Sequence, residues 1–180
     1  MTNIDELSST LFEQAKRFLE KAEEESAEEA KSAFCNAALL LGFSSLEAHI
    51  NAMADELTLR PNLGILEQSI LSESEYKLKG GKFELTGKLK MYRLEDRIQF
   101  IIASFSTANP PTAETWWSSL TESIGLRNQL VHPKSGLNIT KVQVASCLSA
   151  ILACLDHLYI SIFKKPYPSR NRGLNSHLSF

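Results

Sequence analysis

The sequence predicts an all-α fold, a helical up-and-down bundle of about five helices with a small β-hairpin insertion. Three observations carry this reading. Apolar residues recur at helical spacing through most of the chain, the 8 glycines and 6 prolines are few and fall largely between those stretches, and only one short segment alternates apolar and polar residues. With 180 residues the chain can bury one sizeable core but has little room for two.

The first helix is expected from about Asp5 to Ser26, with Leu11, Ala15, Phe18 and Leu19 on its apolar side. The second runs from about Ala27 to Leu57, on the stripe Leu39, Phe43, Leu46, Ile50, Met53 and Leu57, and Arg60-Pro61 ends it. A short helix fits Leu63 to Leu71. Residues 76–85 then alternate around Gly80-Gly81, the signal of a hairpin inserted on a helical frame. A third long helix is expected from Arg93 to about Phe105, and Asn109-Pro110-Pro111 breaks the chain after it. A fourth begins near Thr112 or Ala113 and passes through Trp116 and Trp117 to Val131. It stops at His132-Pro133, because a residue before proline is pushed out of the helical region. After a turn at residues 133–138, the fifth helix spans about Ile139 to Phe163, with Val144, Leu148, Ile151, Leu155, Leu158 and Ile162 at heptad-like spacing. Its apolar circumference places it in the middle of the bundle or at a dimer seam. The domain therefore covers 1–163, and residues 164–180, with four basic side chains, two prolines and no acid, read as a basic tail, extended or disordered.

Charge is unevenly spread. Residues 1–30 hold nine acidic and three basic side chains, although the whole chain is only −2. Glu20, Glu23, Glu24, Glu25, Glu28 and Glu29 are expected to solvate a helix end and the next helix start; a mask over a basic site is the alternative. A near-neutral chain lacks the field of a dedicated duplex-DNA binder. Cys35, Cys147 and Cys154 form no C-x-x-C pair and suggest neither a disulfide framework nor a metal site. The first ten residues carry no basic-then-apolar targeting pattern, so a cytoplasmic location is expected. Residues 144–163 are the nearest approach to a membrane span, but Asp156 and His157 argue for a buried helix, so no membrane partner is expected.

One residue breaks its helix's pattern. The stripe of the fourth helix runs Trp117, Leu120, Ile124, Arg127, Val131, placing a guanidinium at a core position that must be paired or wet. Asn128 and His132 are four apart and share the adjoining face with Thr121 and Gly125, a glycine position suited to close approach by another backbone or a ligand. On the second helix, Glu47 and Asn51 are also four apart, and Glu47 is the natural partner for Arg127. Trp116 and Trp117 suit base stacking or one core and one boundary position. Lys77, Lys79, Lys82, Lys88 and Lys90 suit phosphate contacts or protection of a sheet edge. His49, His157 and His177 read as structural or solvated. Gly80-Gly81 lacks the spacing of a phosphate loop.

Arg127-Asn128-Gln129-Leu130-Val131-His132 resembles the Arg-polar-x-x-x-His motif of HEPN domains (higher eukaryotes and prokaryotes nucleotide-binding), near the end of a late helix as in that family. The run GFSSLEAHIN from Gly42 to Asn51 is similar to the early helix of prokaryotic HEPN proteins, and the resemblance covers roughly residues 5–163. The hairpin departs from the minimal HEPN bundle. The resemblance implies a homodimer in which two motif copies meet in one cleft and cleave RNA without a metal or other cofactor. Arg127, Asn128 and His132 would be catalytic and Glu47 and Asn51 supporting. Such a protein would act as the toxin of a toxin–antitoxin or defence module, opposite a separate nucleotidyltransferase-like antitoxin. The alternative it implies is a non-catalytic helical module for dimerisation or for binding nucleotides or RNA.

Overall fold

A computed structural model describes residues 4–134 and 136–180. Residues 1–3, part of the segment read for a targeting pattern, and Ser135, in the turn expected after Pro133, lie outside the described residues. Among the described residues six α-helices and one hairpin follow in the order α1 (Ile4–Glu24), α2 (Glu28–Thr58), α3 (Ile65–Ser72), β1 (Ser74–Lys79), β2 (Lys82–Leu89), α4 (Leu94–Phe105), α5 (Trp116–Val131) and α6 (Lys141–Phe163). The mostly helical bundle with a two-stranded hairpin is the predicted fold class.

The core forms where the predicted stripes meet. Leu39, Phe43, Leu46, Ile50, Met53 and Leu57 of α2 are all buried, as are Val144, Leu148, Ile151, Leu155 and Leu158 of α6. α1 lies along α2, and α6 touches α1, α2, α4 and α5, which is the central position its apolar circumference calls for. α2 and α6 are long and apolar enough to cross a membrane by length and composition, and about half of each apolar window is buried inside the bundle. Where these two helices cross, Gly42 is a spacing residue. A Cβ there would sit 2.5 Å from Cδ2 of Leu148 and 3.3 Å from Cδ1 of Ile151.

Local chemistry sets the boundaries. α6 starts later than expected because Thr140 caps it: its hydroxyl accepts from the backbone N–H of Gln143 at 3.3 Å, while the Gln143 side chain accepts from Thr140 N–H at 2.9 Å. Pro111 opens a single 3-10 turn, Pro111–Ala113, so α5 itself begins at Trp116 rather than near Thr112. Between α1 and α2 the Glu25 carboxylate accepts from Ser26 N–H at 2.7 Å and Ala27 N–H at 3.0 Å, and Glu28 and Glu29 fill the positive first turn of α2. Glu20 and Glu24 pair with Arg17 at 2.9 and 3.0 Å. The acidic cluster thus finishes helix ends.

The basic tail does not extend away from the bundle. It folds back, buries Tyr167, and makes a 3-10 turn at Arg170–Arg172. Asp156 of α6 accepts from Tyr167 N–H at 3.0 Å and pairs with Arg170 at 3.1 Å. On α1 the buried Glu13 carboxylate meets Arg172 at 2.7 Å, His177 Nδ1 at 2.9 Å and Lys16 at 2.9 Å. Phe180 completes the strap: its ring packs edge-on against Phe18, 5.7 Å between centroids, and its carbonyl accepts from Arg17 Nε at 2.8 Å. Composition suggested disorder because the tail has few apolar residues. Acidic partners on α1 and α6 neutralise its arginines, and the few aromatics it has are enough to pin it.

Candidate functional site

The site is built on the last two turns of α5 against the middle of α2. Phe43 and Glu47, one turn apart on α2, hold Arg127 together. Its guanidinium lies over the Phe43 ring, 5.4 Å from the centroid, and its Nη2 forms an ion pair with Glu47 Oε1. Nη1 donates to the Asn128 side chain at 3.2 Å. The Arg127 side chain is 25% exposed, so its stem packs while its head stays at the surface. This is how a cation at a core position of the α5 stripe is accommodated: the stripe is leaving the core there. Leu120 and Ile124 are buried, whereas Val131, one turn past Arg127, is 47% exposed.

His132 closes α5. Its backbone, at φ −126° and ψ 66°, has left the helical region, as Pro133 requires, although its N–H still donates to Asn128 O at 2.9 Å. Its side chain is exposed. Asn128 stands between two hollows. One, of about 370 Å³, is lined by Glu47, Asn51, Arg97, Ile124 and Arg127 together with Tyr92. The other is a shallower depression of about 520 Å³ lined by Gln129, His132, Lys134 and Leu137. Within one copy of the chain, Arg127 and His132 therefore open to different sides of Asn128.

Of the five residues singled out by sequence, Arg127, Asn128 and Glu47 come into direct contact. Asn51 lines the same cleft, but its side chain serves another cation: Oδ1 accepts from Arg97 Nη1 at 2.8 Å. Arg97, only 5% exposed, also donates to Leu71 O at 3.2 Å and pairs with Glu73 at 3.1 Å. Sequence reading missed it. The same irregularity that marks Arg127 was present, since Leu94, Arg97, Ile98, Ile101 and Ile102 lie on one helical stripe with a cation in it. Gly125 does not mark a close approach within this chain: a Cβ there would meet nothing within 4 Å.

The other histidines, the tryptophans and the cysteines are packed or paired. His49 is buried, and its Nδ1 donates to Ser45 O at 2.9 Å. The His157 ring packs 5.6 Å from Trp116, which in turn sits edge-on to Trp117. Both tryptophans are half-buried, and neither is a fully buried core residue. Burial pushes the thiols of Cys35, Cys147 and Cys154 upward, Cys147 to about 12, which disfavours the nucleophilic thiolate. Among the described residues no three His, Cys, Asp or Glu side chains are grouped to hold a metal ion. No known protein family, curated protein or solved structure matches the chain.

Proposed function

We propose that this chain is a metal-independent endoribonuclease of the HEPN type, working as a homodimer with Arg127, Asn128 and His132 of both copies in one composite site. The observation that carries the reading is the grouping at the end of α5: a guanidinium fixed by Glu47, an amide beside it, and an exposed imidazole one turn on. Arg127 and His132 face different sides of Asn128 in one copy, so a second copy across a twofold axis is the simplest way to bring both groups onto one phosphate. The open surface at Gly125 and the exposed Val131 on the same helix suit that approach.

The chemistry follows from the groups. One His132 takes the proton of a ribose 2′-OH, the 2′-oxygen attacks phosphorus, and the bond to the 5′-oxygen breaks as the second His132 donates a proton to it. The products are a 2′,3′-cyclic phosphate and a 5′-hydroxyl. Imidazole suits both steps near neutral pH, and Arg127 supplies planar donors for the charge that builds on the phosphate. Cellular roles consistent with this reading are a cytoplasmic toxin or defence effector, opposed by a separate nucleotidyltransferase-like antitoxin.

A specific observation favours a second reading. Both terminal nitrogens of Arg127 are already engaged, by Glu47 and Asn128, as in a residue that holds helices together. On that reading the chain is a non-catalytic helical module that dimerises or binds nucleotides or RNA. Purified wild-type and His132→Ala protein incubated with single-stranded RNA and with total tRNA in excess EDTA separate the two. The nuclease reading expects cyclic-phosphate ends from the wild type and a loss of at least about 100-fold in rate for the variant. Equal rates from both proteins would remove His132 from the mechanism, and no cleavage by a folded dimer would leave the binding module.

A further inference from the structure

We propose that the β1–β2 hairpin is an arm that binds single-stranded RNA and leads it to the cleft at Arg127; the destination of the strand, though not the binding itself, rests on the ribonuclease reading. Gly80 and Gly81, both at positive φ, make the tight two-residue turn, and the register pairs Tyr76 with Leu85, Lys77 with Glu84, Leu78 with Phe83 and Lys79 with Lys82. Alternation puts Tyr76, Leu78, Phe83 and Leu85 on one face of the ribbon and Lys77, Lys79 and Lys82 on the other.

Two features of this ribbon work against its own stability. Its apolar face is uncovered, with Leu78 63% and Phe83 57% exposed, and the sheet has only two strands. Lys79 and Lys82 stand directly opposite each other, a like-charge pair that repels. Protection of a sheet edge accounts for lysines but not for a bare Leu and Phe. An apolar protein partner accounts for the bare side chains but not for five lysines against one glutamate between Tyr76 and Lys90. Single-stranded RNA crossing the edge of the ribbon accounts for both, because bases stack on the exposed aromatic rings of one face while phosphates draw the ammonium groups of the other, and a phosphate between Lys79 and Lys82 relieves their repulsion.

The foot of the arm is fixed to the site. Glu73 O accepts from Lys90 N–H at 2.7 Å, Ser69 Oγ lies 2.8 Å from the Tyr92 hydroxyl, and the Glu73 carboxylate pairs with buried Arg97. Lys90 Nζ sits over both the Tyr76 and Tyr92 rings, 4.8 and 5.0 Å from their centroids. Met91, Tyr92 and Arg93 then line the same cleft as Arg127 and Asn128. A strand held on the ribbon is thus delivered to that cleft.

The test uses the full chain, a fluorescein-labelled oligouridine, and two sets of exposed substitutions: Lys77→Gln with Lys79→Gln and Lys82→Gln, and Phe83→Ala alone. Anisotropy titrations over a range of salt should show Kd rising about 10-fold or more for the lysine set, with the slope of log K against log salt reduced by about 2. Phe83→Ala should weaken binding about 5-fold or more with the salt slope unchanged. Cleavage of the dinucleotide UpA, too short to reach the ribbon, should be the same for all three proteins. No binding by the wild type at low salt, or the same Kd and slope for every protein, overturns the arm. Loss of self-association with RNA affinity unchanged also overturns it, in favour of a protein-docking face. Hairpin-dependent binding without any UpA or RNA cleavage keeps the arm and removes the nuclease reading.

Discussion

Asn51 accepts a hydrogen bond from Arg97 at 2.8 Å, one turn along α2 from the Glu47 that holds Arg127. Two arginines from different helices are therefore set side by side by adjacent turns of one helix, and only one of them reaches the surface. Arg97 ties the foot of the hairpin to the bundle, pairing with Glu73 at 3.1 Å; Arg127 keeps its head at the surface, beside Asn128.

Removing Arg97 leaves Glu73 and Asn51 without their partner in a largely buried place. Arg97→Ala should destabilise the fold by about 3–5 kcal/mol, read as a lower urea midpoint. A drop below about 1 kcal/mol would mean that the hairpin foot is not anchored through this guanidinium.

Arg127 and Glu47 lie nearer to solvent, with 25% and 45% of their side chains exposed, so their pairing is worth less. Glu47→Gln should cost less than about 1 kcal/mol in a denaturant melt. If the nuclease reading holds, the same change should lower kcat for RNA, because a loosened guanidinium is no longer aimed. An unchanged kcat would relegate Glu47 to packing.

Glu13 sets a pH dependence. Burial raises its pKa, but hydrogen bonds from Lys16, Arg172 and the His177 backbone outweigh that and lower it from 4.5 to about 2. A depressed carboxylate stabilises the fold above its unfolded value, and that contribution fades as pH falls through the folded one. It amounts to about 3 kcal/mol. Burial pushes Lys16 the opposite way, below the usual lysine range, with Glu13 lifting it. The stability gap between wild type and Glu13→Gln should therefore be widest above about pH 5 and close towards about pH 2. A gap that stays constant across that range would mean the carboxylate is not charged and paired as drawn.

Two glycines should respond in opposite ways to alanine. At Gly42 the new methyl group collides with Leu148, so Gly42→Ala should destabilise by about 1–2 kcal/mol, and less in a Leu148→Ala background. At Gly125 there is open space, so Gly125→Ala should stabilise the isolated chain by up to about 1 kcal/mol through helix propensity. Sedimentation at graded concentration adds the second readout: weaker self-association of Gly125→Ala would place that surface against another copy.

The long helices were legible because their stripes are regular: every predicted core position from Leu39 to Leu57 on the α2 stripe is buried. The hairpin was legible from Gly80-Gly81, although its strands run further than the alternation suggested. Charge at a core position was the signal for Arg127, and pairing it with Glu47 needed only one plausible acid on a neighbouring helix. The partner of Asn51 was not readable, because a side-chain amide carries no charge to choose between two arginines. Nor was the docked tail. Its anchors, Glu13 and Asp156, look like ordinary helix-surface acids until the chain has folded round to meet them.

The strap also fixes an order of events during synthesis. Glu13 and Lys16 leave the ribosome with the first helix, yet their partner Arg172 is 159 residues from Glu13 in sequence. At typical elongation rates that interval lasts roughly 10–30 s. Throughout it the nascent α1 carries an ion pair whose burial is incomplete, so the final closure of the N-terminal helix must come after translation has reached the last segment, and a chain stalled short of Arg172 would expose a defect at its opposite end.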